Sequence, residues 1–277
     1  MKHTIGIVGL GLIGGSMAKA FKREGSHTVY GFDADAATLA SALADGVVER
    51  ALDGGNIGEC DFLVVALYPA ATAAYVKENL PRIRRGAVVV DCAGIKRGIC
   101  GELSQLCAGQ GVYFVGGHPM AGLERSGYAY SSAGLFDKAS MILCTDGHTN
   151  AVALKALERL FLSVGFGVVT VCGAAEHDKM IAFTSQLAHI ISGAYVRGPE
   201  AGRHAGYSAG SFADMTRVAR MHAPMWSELF LGNADYLIDE IEGLRARLGE
   251  YSDALARGDA GELLRLIEEG NRVRDSL

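Results

Sequence analysis

The six residues "GLGLIG", Gly9 to Gly14, constrain this chain more than any other stretch. They follow a short β-rich run, "HTIGIVG", and open a helix-patterned run, "LIGGSMAKAFKREG", that stops at Gly25. A second β-rich run, "HTVYGFD", ends on Asp33, 19 residues beyond Gly14. The G-x-G-x-x-G spacing alone is a weak signal. Between a strand and a helix, with an acidic residue at that distance, it is the fingerprint of a dinucleotide-binding βαβ unit. Gly9 permits the tight turn, Gly11 lets the backbone approach a pyrophosphate, and Gly14 allows helix to pack closely on strand. The N–H groups near Leu12 and Ile13 then point at the phosphates from the helix N-terminus. Asp33 is expected to accept hydrogen bonds from the adenine ribose hydroxyls. No Lys or Arg lies between Gly31 and Leu39 to meet a 2′-phosphate, so NAD is expected over NADP.

Downstream, apolar runs such as "DFLVVALY", "AVVVDCAG", "VYFVGGHP", "ASMILC" and "FGVVTVC" alternate with helix-patterned segments. Such alternation predicts a parallel sheet covered on both faces. After Cys172 no convincing strand remains, and the pattern is helical to Leu277. The expected organisation is an α/β domain over 1–172 and an all-α domain over 173–277. "AAEHDKMIAFTSQLAHIISGAYV" reads as one long helix. "MWSELFLGNADYLIDEIEGLRARLGEYSDAL" reads as another, amphipathic and too long to bury against one small domain.

Composition narrows the partners. With 26 Lys plus Arg against 31 Asp plus Glu, the net charge of −5 argues against nucleic acid and anionic membrane. No apolar run reaches the roughly 18 residues needed to span a bilayer. The six cysteines form no CxxC pair and match no zinc spacing, so no metal site is expected. They read as small core residues of a reducing, cytoplasmic compartment.

"GGHPMAGLERSG", Gly116 to Gly127, places His118 between a glycine pair and a proline. Neither a helix nor a strand interior readily accepts that composition, so His118 is expected on an irregular loop just past the strand "VYFVGG". A neutral imidazole there suits general-base work near pH 7.

Taken together, "GLGLIGGSMAKAFK", "DCAGIK", "GGHPMAGLERSG" and "DMTRVAR…PMW" resemble the prephenate dehydrogenase family over nearly the whole chain. The resemblance implies a Rossmann domain followed by a helical domain that forms a homodimer. It implies NAD(P)-linked oxidative decarboxylation of prephenate, of arogenate, or of both. His118 becomes the catalytic base and Arg217 the partner of a substrate carboxylate. Lys96 matches a family lysine expected to bind in the substrate pocket, by adding positive charge there or by fixing the loop beside the nicotinamide. Glu124 matches an acidic position able to pair with an arginine at the cleft. Ser185, Gln186 and His189 lie in the stretch that contacts the substrate side chain, where neutral Gln186 is expected to favour prephenate. One departure stands out: much of the family carries Ser or Thr where this chain has Gly94. A β-hydroxyacid dehydrogenase is a weaker reading, because its K-x-x-N pattern fails at Lys179, which Ala182 follows three residues on. A non-catalytic NAD-responsive regulator would need neither His118 nor Arg217.

Replacing Asp33 by Ser together with Ala34 by Arg is expected to raise kcat/KM for NADP relative to NAD. A wild-type protein that already prefers NADP would overturn the assignment of Asp33.

Overall fold

The protein, seen in a computed structural model that describes residues 2–277, builds its first half around an eight-stranded sheet. The strands are β1 (Thr4–Val8), β2 (Thr28–Phe32), β3 (Arg50–Ala51), β4 (Phe62–Val65), β5 (Val88–Asp91), β6 (Tyr113–Pro119), β7 (Ser140–Thr145) and β8 (Val168–Gly173). Their order is β3-β2-β1-β4-β5-β6-β7-β8. The chain reverses its winding between β1 and β4, which opens a crevice at the carboxyl ends of those strands. Helices α1 (Leu12–Glu24), α2 (Ala36–Ala44), α3 (Pro69–Asn79), α4 (Arg97–Gly109) and α5 (Ala151–Ser163) cover the sheet. Side chains alternate across it: Val88 and Val90 enter one apolar core with Ile7 and Phe161, while Val89 enters the other with Leu63 and Leu103.

The sheet is not wholly parallel, as strand–helix alternation had predicted. β7 runs antiparallel to β6, with His118 opposite Ile142, and β8 runs parallel to β7. The segment from β6 to β7 contains only a short 3-10 turn at Tyr128–Tyr130 and no crossover helix, so the chain returns in the opposite direction.

This pairing also corrects the placement of His118. It belongs to β6 itself, one residue before the strand ends at Pro119. The glycine pair that argued against a strand is what allows one here. A Cβ on Gly117 would lie 2.4 Å from the Asp91 carbonyl oxygen, and one on Gly116 would lie 2.5 Å from Cys100 Sγ. Only glycine lets neighbouring groups approach the strand so closely.

The second half is helical: α6 (Ala174–Ile181), a π-helical segment (Ala182–Leu187), α7 (Ala188–Tyr195), α8 (Gly210–Thr216), α9 (Ala223–Leu231), α10 (Ala234–Arg257) and α11 (Ala260–Ser276). The long amphipathic helix expected from residue 225 is broken between α9 and α10. Gly232 packs where a Cβ would come within 2.3 Å of Ile95 Cδ1, and Asn233 turns fully inward. Among the described residues no helix is long and apolar enough to cross a membrane.

Gly117→Ala tests the close approach. Its methyl would meet backbone rather than a flexible side chain, so a loss of roughly 1–3 kcal/mol is expected, read as a lowered denaturation midpoint. Unchanged stability would mean that β6 shifts freely.

Candidate active site

The glycine loop lies at the crevice, and each glycine is required differently. Gly9 has φ of 84°, and its Cβ would clash with the Ala66 carbonyl at 2.6 Å. Gly14 packs so tightly that a Cβ would sit 1.8 Å from the Gly9 carbonyl oxygen. A Cβ on Gly11 would meet nothing within 4 Å. Gly11 therefore faces open space at the N-terminus of α1, where no side chain caps the helix. The leading N–H groups of α1, at Leu12 and Ile13, have no partner within their own helix. Bare backbone over open space fits a pyrophosphate. Asp33 Oδ2 accepts from the Leu10 N–H at 2.7 Å and so holds the loop as well as the end of β2. Asp35, not Asp33, caps α2.

His118 is half-buried at the same carboxyl edge of the sheet. Its Nδ1 lies 2.9 Å from Nε2 of His177, and His177 Nδ1 lies 2.7 Å from Asp178 Oδ1. His177 and Asp178 come from α6, so the ring of His118 meets the helical domain. Burial, the neighbouring His177 and the Lys96 ammonium, in that order, hold the His118 pKa well below the ordinary histidine value. The imidazole is thus neutral at pH 7.

Lys96 differs from its expected place against substrate. Its side chain and that of Asp91 are both fully buried, and they form an ion pair. Lys96 Nζ also donates to the Gly117 carbonyl at 2.6 Å, while Asp91 Oδ1 accepts from the Gly117 N–H at 3.1 Å. The pair grips both backbone groups of the residue before His118. Lys96 shapes the strand that presents the histidine.

Arg217, at the end of α8, pairs with Glu124 at 3.1 Å, and both are exposed. This bridge joins the loop after β6 to the helical domain.

The stretch "TSQLAH" lies across the π-helical segment, and the expected single helix carries this wide turn in its middle. Ser185 and His189 remain partly open. His189 Nδ1–H donates to the Ser185 carbonyl at 2.9 Å, and its ring packs at a tilt against Trp226 with centroids 3.9 Å apart. Gln186 does not face the same way. It is buried, its Nε2 donates to the Leu229 carbonyl at 3.0 Å, and its Oε1 accepts from Asn233 Nδ2 at 2.7 Å. Gln186 holds α9 and α10 and is not available to read a substrate side chain. Gly94 lies under Leu229, whose methyls would sit 3.3–3.4 Å from a Cβ there.

Sequence reading missed His177, Asp178 and Asp91. The Asp178 carboxylate accepts from the Lys96 N–H at 2.7 Å and the Arg97 N–H at 2.9 Å. Those partners are more than 80 residues away in sequence, so no local spacing reveals them. Only the His-Asp dipeptide on a buried helix face was there to notice.

Residues 17–170 match the family model described as "Prephenate dehydrogenase, nucleotide-binding domain", and residues 173–269 match "Prephenate dehydrogenase, dimerization domain". The cyclohexadienyl dehydrogenase of Zymomonas mobilis is 30% identical over 289 residues, covering 100% of this chain and 96% of that protein. The solved prephenate dehydrogenase of A. aeolicus, in complex with hydroxyphenyl propionate and NAD+, superposes with a TM-score of 0.89 at 27% identity, covering 99% of this chain and 98% of that one. The arogenate dehydrogenase of Synechocystis superposes with a TM-score of 0.84 at 26% identity, covering 99% of each chain.

The buried position of Gln186 gives a test of its role. Gln186→Asp places an acceptor against the Leu229 carbonyl and leaves that carbonyl without a donor. The expected outcome is a loss of roughly 1–3 kcal/mol, seen in thermal unfolding, with no change in substrate preference. A switch in preference at unchanged stability would return Gln186 to the pocket.

Proposed function

The chain belongs to the prephenate dehydrogenase family, and from that premise we propose that it converts prephenate to 4-hydroxyphenylpyruvate and carbon dioxide with NAD. It is a dehydrogenase with an N-terminal nucleotide-binding domain. The observation that carries the reading is the placement of His118 on β6. A half-buried histidine, held neutral at pH 7, stands at the same sheet edge as an uncapped glycine loop.

The site residues divide the work. Gly9, Gly11 and Gly14 would open the loop to the cofactor pyrophosphate, the amides of Leu12 and Ile13 would hold it, and Asp33 would accept from the ribose hydroxyls. Bound NAD supplies the hydride acceptor. His118 takes the proton of the ring hydroxyl as the hydride departs from the same carbon. The ring carboxylate then leaves as carbon dioxide, its bonding electrons completing an aromatic phenolate, which regains a proton to become the phenol. Arg217 exchanges Glu124 for a substrate carboxylate, where a planar guanidinium pairs with two oxygens at once. That exchange makes Glu124 a gate. Lys96 acts from beneath, by fixing Gly117.

Ser185 and His189 are assigned to the substrate side chain. Neither is a carboxylate, so neither offers an ammonium a charge-assisted bond, which supports prephenate over arogenate. Arogenate, or both substrates, is the second reading, favoured by the names of the Synechocystis and Zymomonas mobilis relatives. A homodimer through the helical domain is supported by the match to a dimerization domain and by exposed Leu231, Ile238, Leu255, Leu264 and Ile267 on α9 to α11. The free thiols of all six cysteines agree with a cytoplasmic enzyme.

Prephenate-dependent NADH formation tests the reading directly. kcat/KM is expected to stay level from pH 8 to below 6.5 and to fall only when His118 protonates, since its lowered pKa keeps the base form at lower pH. His118→Asn should lower kcat by roughly 10²–10⁴-fold with the NAD KM spared. Arg217→Ala should act mainly on the prephenate KM. A His118→Asn enzyme of ordinary activity would overturn the mechanism.

A further inference from the structure

We propose that Asp178 is the positioning residue of this site: one carboxylate joins the two domains and sets where the protons lie on His177 and His118. The inference rests on His118 being the base, and it concerns what makes His118 able to act as one.

Asp178 is fully buried and both of its oxygens are occupied by donors. Oδ1 accepts from the Lys96 N–H and faces His177 Nδ1, each at 2.7 Å. Oδ2 accepts from the Arg97 N–H at 2.9 Å and from Arg97 Nε at 3.3 Å. Burial pushes its carboxyl pKa up, but the bonds from His177 and from the Arg97 and Lys96 amides outweigh this and leave it below the usual value. An ionised carboxylate only accepts. His177 therefore carries its proton on Nδ1.

The rest follows along the chain of hydrogen bonds. A neutral His177 with Nδ1–H has a lone pair on Nε2. That nitrogen faces His118 Nδ1 at 2.9 Å, so His118 Nδ1 must donate. A neutral His118 with Nδ1–H has a bare Nε2, and a bare nitrogen is what a base needs. In the step itself the substrate O–H bond breaks and a His118 Nε2–H bond forms. The new positive charge then lies two hydrogen bonds from the Asp178 carboxylate. If His177 were instead the other tautomer, or protonated, it would donate to His118 Nδ1. The neutral His118 proton would then sit on Nε2 and block it.

The charged groups around this chain fit the assignment. The Lys96 ammonium is paired with Asp91, and the Arg97 guanidinium is bound to Asp235 beyond Asp178. Arg97 Nε donates to Oδ2, so neither cationic side chain takes Oδ1 from His177 Nδ1–H. The Lys96 and Arg97 amides belong to the start of α4, which has no cap of its own side chains. Asp178 comes from the other domain, so His118 holds the correct tautomer only while the helical domain is docked on α4.

Two measurements test this. Long-range ¹H–¹⁵N correlation of ring nitrogens in the full-length wild-type protein at pH 7.5 should show Nδ1 protonated on both His118 and His177. An Nε2–H form of either ring overturns the proposal, whatever the enzyme turns over. In kinetics, His177→Leu and Asp178→Asn should each lower kcat on the order of 10²-fold, within the range general-base catalysis contributes, with both KM values within about twofold. His177→Gln, whose side-chain oxygen can still accept from His118 Nδ1–H, should recover at least tenfold over His177→Leu. Should His118→Asn be inactive while Asp178→Asn and His177→Leu retain full kcat, the positioning role fails and the base assignment stands. Should the wild type not oxidise prephenate at all, the functional reading fails, and the ring-nitrogen spectra still decide the proton positions.

Discussion

The carboxylate of Asp178 at the start of α4 is the contact on which the arrangement of this molecule depends. Helix α4 begins without a side-chain cap of its own, and its first amides are answered from the helical domain. The same device recurs one helix away. α3 also lacks a side-chain cap, and Glu228 of α9 accepts from the Ala70 N–H at 2.6 Å. A helix N-terminus carries unpaired donors and a partial positive charge, so a carboxylate is the group best suited to satisfy it. Two such contacts, from two helices of the second half, tie it to the carboxyl edge of the sheet. Arg97 extends the clamp to Asn233 and Asp235 at the start of α10.

Beneath the histidine lies a second buried carboxylate. Asp91 ends β5 and binds the Ala93 N–H at 2.9 Å, the Gly117 N–H and the Lys96 ammonium. Burying an ion pair contributes little net stability, but removing one partner costs about 3–5 kcal/mol, because the other charge is then left unpaired in the interior. The pair therefore enforces geometry. It ties the end of β5, the start of α4 and the strand carrying His118 into one unit. The glycines at 116 and 117 make this possible, since any side chain there would push the strands and Cys100 apart.

Much of this was legible in the chain. The glycine triad and Asp33 are local features whose chemistry does not depend on distant residues, and the structure places them at the switch point. His118 stood out because its neighbours were incompatible with ordinary elements. The same reasoning misplaced it, since glycine in a strand marks a close approach that only the neighbouring strand and helix make visible. Gln186 was misread for a related reason. It is one step around the helix from Ser185, and that step meets Leu229 and Asn233, partners more than 40 positions away, while the expected α-helix is a wider π-turn there. No property of "AFTSQL" announces that turn. The continuous helix expected across Gly232 failed likewise, because the break answers to Ile95 in the other domain.

What the sequence determined by itself was the chemistry available within short spacings: a glycine loop between strand and helix, an acidic residue after the second strand, a histidine near a strand end, and a helical second half. Each rests on residues close along the chain, where backbone conformation and side-chain type act together. What only the tertiary structure decided was which groups meet. Asp178 reaches the Lys96 amide across 82 positions, Arg217 reaches Glu124 across 93, and His177 reaches His118 across 59. Hydrogen bonds and ion pairs act over a few ångströms whatever the separation in sequence, so their partners exist only once the two domains are packed.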